Sequence, residues 1–152
     1  MRVLFLDIDG VLNTQSYVEH AGWAAPLGSD RDLRIIDPAA VGLLNVVVEE
    51  TGALVVISSS WRITYQVEVL DSMLKQRGFS GRVLGATPQL TGRRRCTEIG
   101  QWLMDNNRVD SFAIVDDDED AGAEHVRNFV QTNFEEGLTR EHVRALVRIL
   151  EV

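Results

Sequence analysis

The sequence predicts an α/β protein in which a central parallel sheet is covered by helices on both faces. Two observations support this prediction. Short apolar segments typical of buried strands alternate with longer amphipathic segments typical of helices. In addition, three of the four clearest strand segments end in polar residues, which parallel strands would deliver to one edge of the sheet. The strand–helix–strand connections are expected to be right-handed.

Five segments are predicted to be strands. Residues 2–6 are apolar on both faces, as a central parallel strand would be. The other strand segments lie, in chain order, at residues 53–57, 82–84, 111–115 and 128–131. The third and fifth carry the weakest apolar pattern.

Helices are predicted over residues 37–52, 61–77, 97–106 and from 139 to the C-terminus. Asp37 is a typical N-cap followed by Pro38 in the first turn, and Gly52 is a typical C-terminal stop. Thr139 begins a capped, amphipathic last helix. Residues 14–36 form the longest stretch without a predicted element.

Length and composition limit the class of protein. The 152 residues suit one domain, and 45% apolar with 25% charged residues is ordinary for a globular protein. No apolar run approaches the roughly 20 residues that span a bilayer, and no signal peptide is expected. The net charge of −8 disfavours broad nucleic-acid binding. The single cysteine, Cys96, excludes an internal disulfide, and we expect a cytoplasmic location.

Acidic pairs follow the first and fourth strands. Asp7 and Asp9 are separated by the strand period, and Asp116 and Asp117 end the fourth strand. Bringing four carboxylates to one sheet edge is costly unless a cation neutralises them. Carboxylates without nearby histidine or cysteine favour Mg²⁺ over Zn²⁺, and Mg²⁺ is often shared with a phosphate. The pattern therefore predicts phosphate chemistry.

Groups suited to an anion follow the second strand and precede the third predicted helix. Ser58 supplies a hydroxyl, and the start of the helix after it supplies backbone N–H groups. Arg62 and the run 93–95 supply guanidinium groups for a phosphoryl group.

Three strings in this order resemble motifs of the haloacid dehalogenase (HAD) superfamily of phosphotransferases. They are "FLDIDGVLN" at residues 5–13, "LVVISSS" at 54–60 and "AIVDDDED" at 113–120. The strings "SSSWR", "RCTEIGQWL" and "GLTREHV" more specifically resemble the compact HAD domain of Swiss Army Knife RNA repair proteins. The resemblance implies a Rossmann-like HAD fold and a single hydrolase domain over residues 1–152.

The resemblance also implies roles for the motif residues. Asp7 would be the nucleophile that forms an aspartyl-phosphate, and Asp9 the general acid and base. Ser58 would bind the transferring phosphoryl group. The Mg²⁺ ligands would be Asp7, the backbone carbonyl of Asp9, Asp116 and Asp117. A bound cation would lower the pKa of Asp7. The remaining substrate-binding candidates are Gly10, Ser59, Arg62 and Arg94.

Two assignments stay open at this point. The superfamily normally carries a lysine in its third motif, but the only lysine, Lys75, lies in the wrong segment. Arg95 is the preferred substitute, and Arg94 is its competitor; either differs from lysine in geometry. Asp117 and Asp120 compete for the role of second acidic partner on the fourth motif.

Residues 14–36 would form a short flap over the site, too small for a full cap domain, with Tyr17 and Trp23 as candidate substrate contacts. The predicted function is a Mg²⁺-dependent phosphomonoesterase acting on a phosphorylated small molecule or a nucleic-acid end, without a membrane partner. The alternative is a phosphate-binding or regulatory module that keeps the fold but turns over poorly.

Overall fold

Five parallel strands form one sheet in the order β3-β2-β1-β4-β5 in the computed structural model, which describes residues 1–24 and 30–152. The strands are β1 (Arg2–Leu6), β2 (Leu54–Ile57), β3 (Val83–Ala86), β4 (Ser111–Asp116) and β5 (Phe129–Gln131). From β1 the chain adds β2 and β3 on one side of the sheet, and it then adds β4 and β5 on the other side. The direction in which strands are added therefore reverses between β1 and β4. The predicted parallel α/β fold is confirmed, and this reversal point is where such sheets bind ligands.

Seven helices connect and cover the strands in the described part of the chain. They are α1 (Gln15–Ala24), α2 (Arg31–Arg34), α3 (Pro38–Thr51), α4 (Trp61–Thr64), α5 (Val67–Gln76), α6 (Arg95–Asp105) and α7 (Arg140–Glu151). Two short 3-10 turns, Glu119–Gly122 and Val126–Asn128, lie between β4 and β5. The Asp37 side chain caps α3 as predicted, accepting from the Ala39 N–H at 2.9 Å.

The single helix predicted over residues 61–77 is wrong. Tyr65 and Gln66 have extended backbone and separate α4 from α5. The Tyr65 hydroxyl donates to the Asp32 carboxylate, so the interruption is stabilised by a contact with a distant part of the chain. The break leaves α4 beside the strand ends while α5 buries Leu70 and Leu74 in the core.

Residues 14–36, which carried no predicted element, contain α1 and α2. Val18 on α1 and Leu33 on α2 pack against the core, but neither helix carries a long apolar stripe. Local sequence is therefore a poor guide to this segment, because its helices depend on packing against the rest of the chain.

The alternation of side chains along the central strands divides the core between the two faces of the sheet. Leu4 and Leu6 face α3, α5 and α7, whereas Phe5 packs edge-on against Trp102 of α6. Helices therefore cover both faces, as the sequence predicted. None of the helices described is long and apolar enough to cross a membrane.

Candidate active site

Hydrogen bonding between strands continues one residue beyond β1 and β2 and fixes the groups that follow them. The Asp7 N–H donates to the Val115 carbonyl at 3.1 Å, and the Ser58 N–H donates to the Leu6 carbonyl at 3.0 Å. The main chain of both residues is consequently fixed at the carboxyl edge, next to the end of β4. The parallel register brings together groups that are more than fifty residues apart in sequence.

Three carboxylates meet at this edge. Asp7, Asp116 and Asp117 each offer one oxygen, and these oxygens lie within 4.8 Å of one another. Asp7 and Asp116 are buried, and Asp117 is half-buried. We call these three residues the acid cluster. Its oxygen-only donor set is the kind that Mg²⁺ prefers.

Arg95, at the start of α6, supplies positive charge to the acid cluster. Its Nη1 lies 2.6 Å from Asp116 Oδ2 and 3.4 Å from Asp7 Oδ1. Arg94, the competing candidate, is exposed and pairs instead with Asp120. The structure thus brings Arg95 to the predicted nucleophile, and it also separates Asp120 from the acid cluster that contains Asp117.

One guanidinium does not offset the cost of placing these carboxylates together. Burial raises the pKa of Asp7 to about 8, and the nearby Asp116 carboxylate adds to the rise, although Arg95 opposes it. Burial likewise raises the pKa of Asp116. A divalent cation would restore the ionised form of both groups. The donor set and the charge imbalance therefore fit Mg²⁺, and the lowered pKa expected for Asp7 depends on that ion.

Gly10 is required by the position of Asp117. Its φ of +80° lies in the left-handed region, and a Cβ built on it would lie 2.4 Å from Asp117 Oδ2. The Thr132 hydroxyl, directly after β5, donates to the Gly10 carbonyl at 2.7 Å and fixes this turn. Gly10 thus shapes the acid cluster by leaving room for the Asp117 carboxylate.

We expect Gly10→Ala to lose more stability than Gly52→Ala. Both glycines have positive φ, and an L-residue there costs about 1–2 kcal/mol. Only at Gly10 does the added methyl group collide, which adds about 1 kcal/mol or more. Urea unfolding of the two variants measures the difference. Equal losses would show that Asp117 moves aside without cost.

Asp9 lies apart from the acid cluster, with an exposed side chain. Its Oδ1 accepts from Asn13 Nδ2 and its Oδ2 accepts from the Trp61 indole N–H, each at 3.0 Å. Asn13 also accepts from the Gly10 N–H at 3.0 Å. Sequence reasoning missed both supporting residues, although Asn13 belongs to the first motif and Trp61 directly follows the serine run.

The two serines after β2 have different surroundings. Ser58 is fully buried, and its hydroxyl has no hydrogen-bond partner among the described residues. Ser59 Oγ accepts from the Trp61 N–H at 3.2 Å and supports the start of α4. A buried, unsatisfied hydroxyl is costly, so Ser58 is the better candidate for binding a ligand oxygen.

Arg62, predicted to bind substrate, has a buried side chain whose N–H donors are already used. It forms an ion pair with Glu98 of α6 and donates to the carbonyls of Ser58, Ser59 and Thr87. These contacts tie the loops after β2 and β3 to α6. They favour a positioning role for Arg62 over direct contact with a phosphate.

Tyr17 and Trp23 are the two aromatic residues predicted on the flap. The Tyr17 hydroxyl accepts from Arg77 Nη2 at 3.0 Å, so it binds another part of the chain. The side chain of Trp23 lies outside the described residues.

A β-sheet with this strand order, whose first and fourth strands deliver carboxylates to one point, places the chain in the HAD class of α/β proteins. Residues 3–143 match the model of one family within this class, the HAD domain in Swiss Army Knife RNA repair proteins. The match spans most of the chain, and the chain belongs to that family. The resemblance found in the sequence is thereby confirmed. No curated protein and no solved structure matched the chain.

Proposed function

We propose that the chain is a Mg²⁺-dependent phosphomonoesterase that acts through an aspartyl-phosphate, as one hydrolase domain with residues 14–36 as its flap. The observation that most directly supports this proposal is the acid cluster, in which Arg95 contacts both Asp7 and Asp116. Family membership supports hydrolase activity independently of this geometry. A cytoplasmic location stays a prediction from the sequence.

Mg²⁺ would be held by Asp7, Asp116, Asp117 and the backbone carbonyl of Asp9. When bound, it would neutralise the carboxylates and let an anionic phosphate approach them. The remaining chemistry belongs to the protein's own side chains.

The reaction proceeds in two displacements. A carboxylate oxygen of Asp7 attacks phosphorus, and the bond from phosphorus to the ester oxygen breaks with its electron pair on that oxygen. Protonated Asp9 gives its proton to the leaving oxygen, which departs as an alcohol. Asp9, now ionised, takes a proton from water as the water attacks the phosphoryl group. Cleavage of the acyl-phosphate bond releases phosphate and the Asp7 carboxylate.

Other side chains orient the reacting groups. The Ser58 hydroxyl donates to a phosphoryl oxygen, which supplies the partner that it lacks within the described residues. Arg95 holds Asp7 and balances the charge that develops on the phosphoryl oxygens. Ser59, Arg62 and Gly10 act through the loops that they support. Arg94, paired at the surface, stays a candidate for contact with a larger substrate.

The substrate class is proposed from the family and from the short length of the flap segment, residues 14–36. RNA repair proteins of this family suggest a phosphorylated nucleic-acid end or a nucleotide. The net charge of −8 argues against wide contact with a nucleic-acid backbone. A single terminal phosphate near Arg95 is compatible with that charge.

Phosphate release from p-nitrophenyl phosphate, with Mg²⁺ and with chelator, tests the proposal. We expect turnover that requires the metal and that is lost in Asp7→Asn. A correctly folded wild-type protein without any release would favour the phosphate-binding module. A second screen with 3′- and 5′-phosphorylated oligonucleotides, nucleoside monophosphates and sugar phosphates then identifies the substrate class.

Ser58→Ala is expected to lower kcat/KM about tenfold or more without loss of stability. The hydroxyl bonds to no described residue, so its removal breaks no known hydrogen bond while the phosphoryl group loses one donor. Ser59→Ala is the matched control, because it removes an acceptor for the Trp61 N–H and should cost about 1 kcal/mol of unfolding free energy. A large stability loss in Ser58→Ala would indicate a structural role.

A further inference from the structure

A cavity of about 320 Å³ lies beside Asp9, between the flap helix α2 and helix α4. Asp9 lines this cavity, whereas Asp7, Asp116 and Arg95 do not. A larger groove of about 520 Å³ lies between α3 and α7 and contains none of the site residues. Asp9, the proposed general acid, therefore lines one particular cavity.

The cavity walls are polar and are held by hydrogen bonds. The Tyr65 hydroxyl, after α4, donates to the Asp32 carboxylate on α2. Two more hydroxyl groups line the cavity, those of Ser60 and Thr64. The indole of Trp61 donates to Asp9 and holds these two lining residues together. Carboxylate and hydroxyl groups at this density suit a ligand that carries several hydroxyl groups.

Arg31 gives the cavity a cationic side. It is exposed on α2, lines the cavity, and forms no ion pair with any residue in the described ranges. The neighbouring Asp32 is already bonded to Tyr65. A guanidinium in this setting can bind a phosphate through two N–H groups.

We infer, on the basis of the proposed function, that this cavity binds the leaving group and that the leaving group is a sugar ring bearing a second phosphate. The general acid must reach the leaving oxygen, so the group attached to that oxygen lies where Asp9 lines a cavity. A volume at the lower end of the range for small-molecule sites suits one ring. Arg31 then binds the phosphate that is not cleaved. Nucleoside bisphosphates, oligonucleotide ends and sugar bisphosphates share this chemistry.

Two substrate pairs test the inference and separate its sources. One pair is a nucleoside 3′,5′-bisphosphate against the two corresponding monophosphates, and the other is fructose 1,6-bisphosphate against fructose 6-phosphate. In one pair we expect kcat/KM of the wild type to favour the bisphosphate about tenfold, mainly through KM. The pair that shows the preference identifies the source.

Variants of α2 give the decisive comparison. Arg31→Gln should abolish the preference for the bisphosphate, and Arg31→Lys should keep part of it because a charge remains. Arg34→Gln lies on the same helix but outside the cavity lining, and it should keep the preference. An Arg31→Gln variant with the wild-type preference, or a wild type with no preference in either pair, would overturn the inference.

Ligand binding can be measured apart from turnover. The same compounds can be titrated by calorimetry into Asp7→Asn and into Asp7→Asn with Arg31→Gln, both loaded with Mg²⁺. A tenfold preference for one bisphosphate that disappears with Arg31→Gln supports the cavity even if the wild type hydrolyses nothing. In that event only the phosphatase proposal fails. Equal affinities for mono- and bisphosphates in Asp7→Asn would refute the cavity assignment.

Discussion

Asp7→Asn is expected to lower turnover of p-nitrophenyl phosphate on the order of 10⁴-fold or more while the protein stays folded. The amide cannot form the aspartyl-phosphate, and no neighbouring carboxylate has the same fixed position beside Ser58 and Arg95. Asp105→Asn changes an exposed aspartate in the same way and serves as the control. Retained activity in pure Asp7→Asn would remove the nucleophile assignment.

The same variant should change the pH dependence of stability. The folded pKa of Asp7 is about 8, against an ordinary value of 3.8, so the folded protein holds a proton that the unfolded chain releases. The stability contributed by this group is complete below pH 4 and declines as the pH rises towards 8. In chelator, Asp7→Asn should therefore gain stability relative to wild type between pH 5 and pH 8. Urea unfolding at the two pH values measures this gain, and a constant difference would contradict it.

Arg95→Met is expected to lower kcat/KM about 10²–10³-fold, because it removes the cation that contacts both Asp7 and Asp116. Leaving two buried carboxylates without it also costs on the order of 3 kcal/mol of unfolding free energy. Steady-state kinetics with urea unfolding separates the two effects. Because Arg95→Met could fail to fold, Arg95→Lys provides a second measurement.

Arg95→Lys keeps a positive charge beside Asp7 and Asp116, so most of the activity should remain. Arg94→Met tests the competing assignment. Arg94 is exposed and pairs with Asp120, so we expect a loss smaller than about tenfold. A greater loss in Arg94→Met than in Arg95→Met would reverse the assignment of the two arginines.

Much of the fold could be predicted because its signals are local. Continuous apolar runs identified the buried strands, and the cap residues Asp37 and Gly52 marked the ends of α3. Acidic residues directly after two of those strands were enough to predict a cluster, because parallel strands end at a common edge. The presence of α2 and the end of α4 gave no such signal, since they depend on contacts such as that between Tyr65 and Asp32.

The sequence by itself determined the parallel α/β architecture, the family and the placing of acidic residues after two strands, although it grouped Asp9 with the three aspartates that meet at the sheet edge. Only the tertiary structure decided which of two adjacent residues, such as Arg94 and Arg95, faces that edge. Successive helical residues point about 100° apart, so a start of α6 displaced by one residue would exchange Arg94 and Arg95. The tertiary structure also decided the hydrogen-bond partners of Asp9, because Trp61, which donates to it, lies 52 positions away in sequence. Such pairings depend on the packing of whole elements, which local residue patterns do not encode.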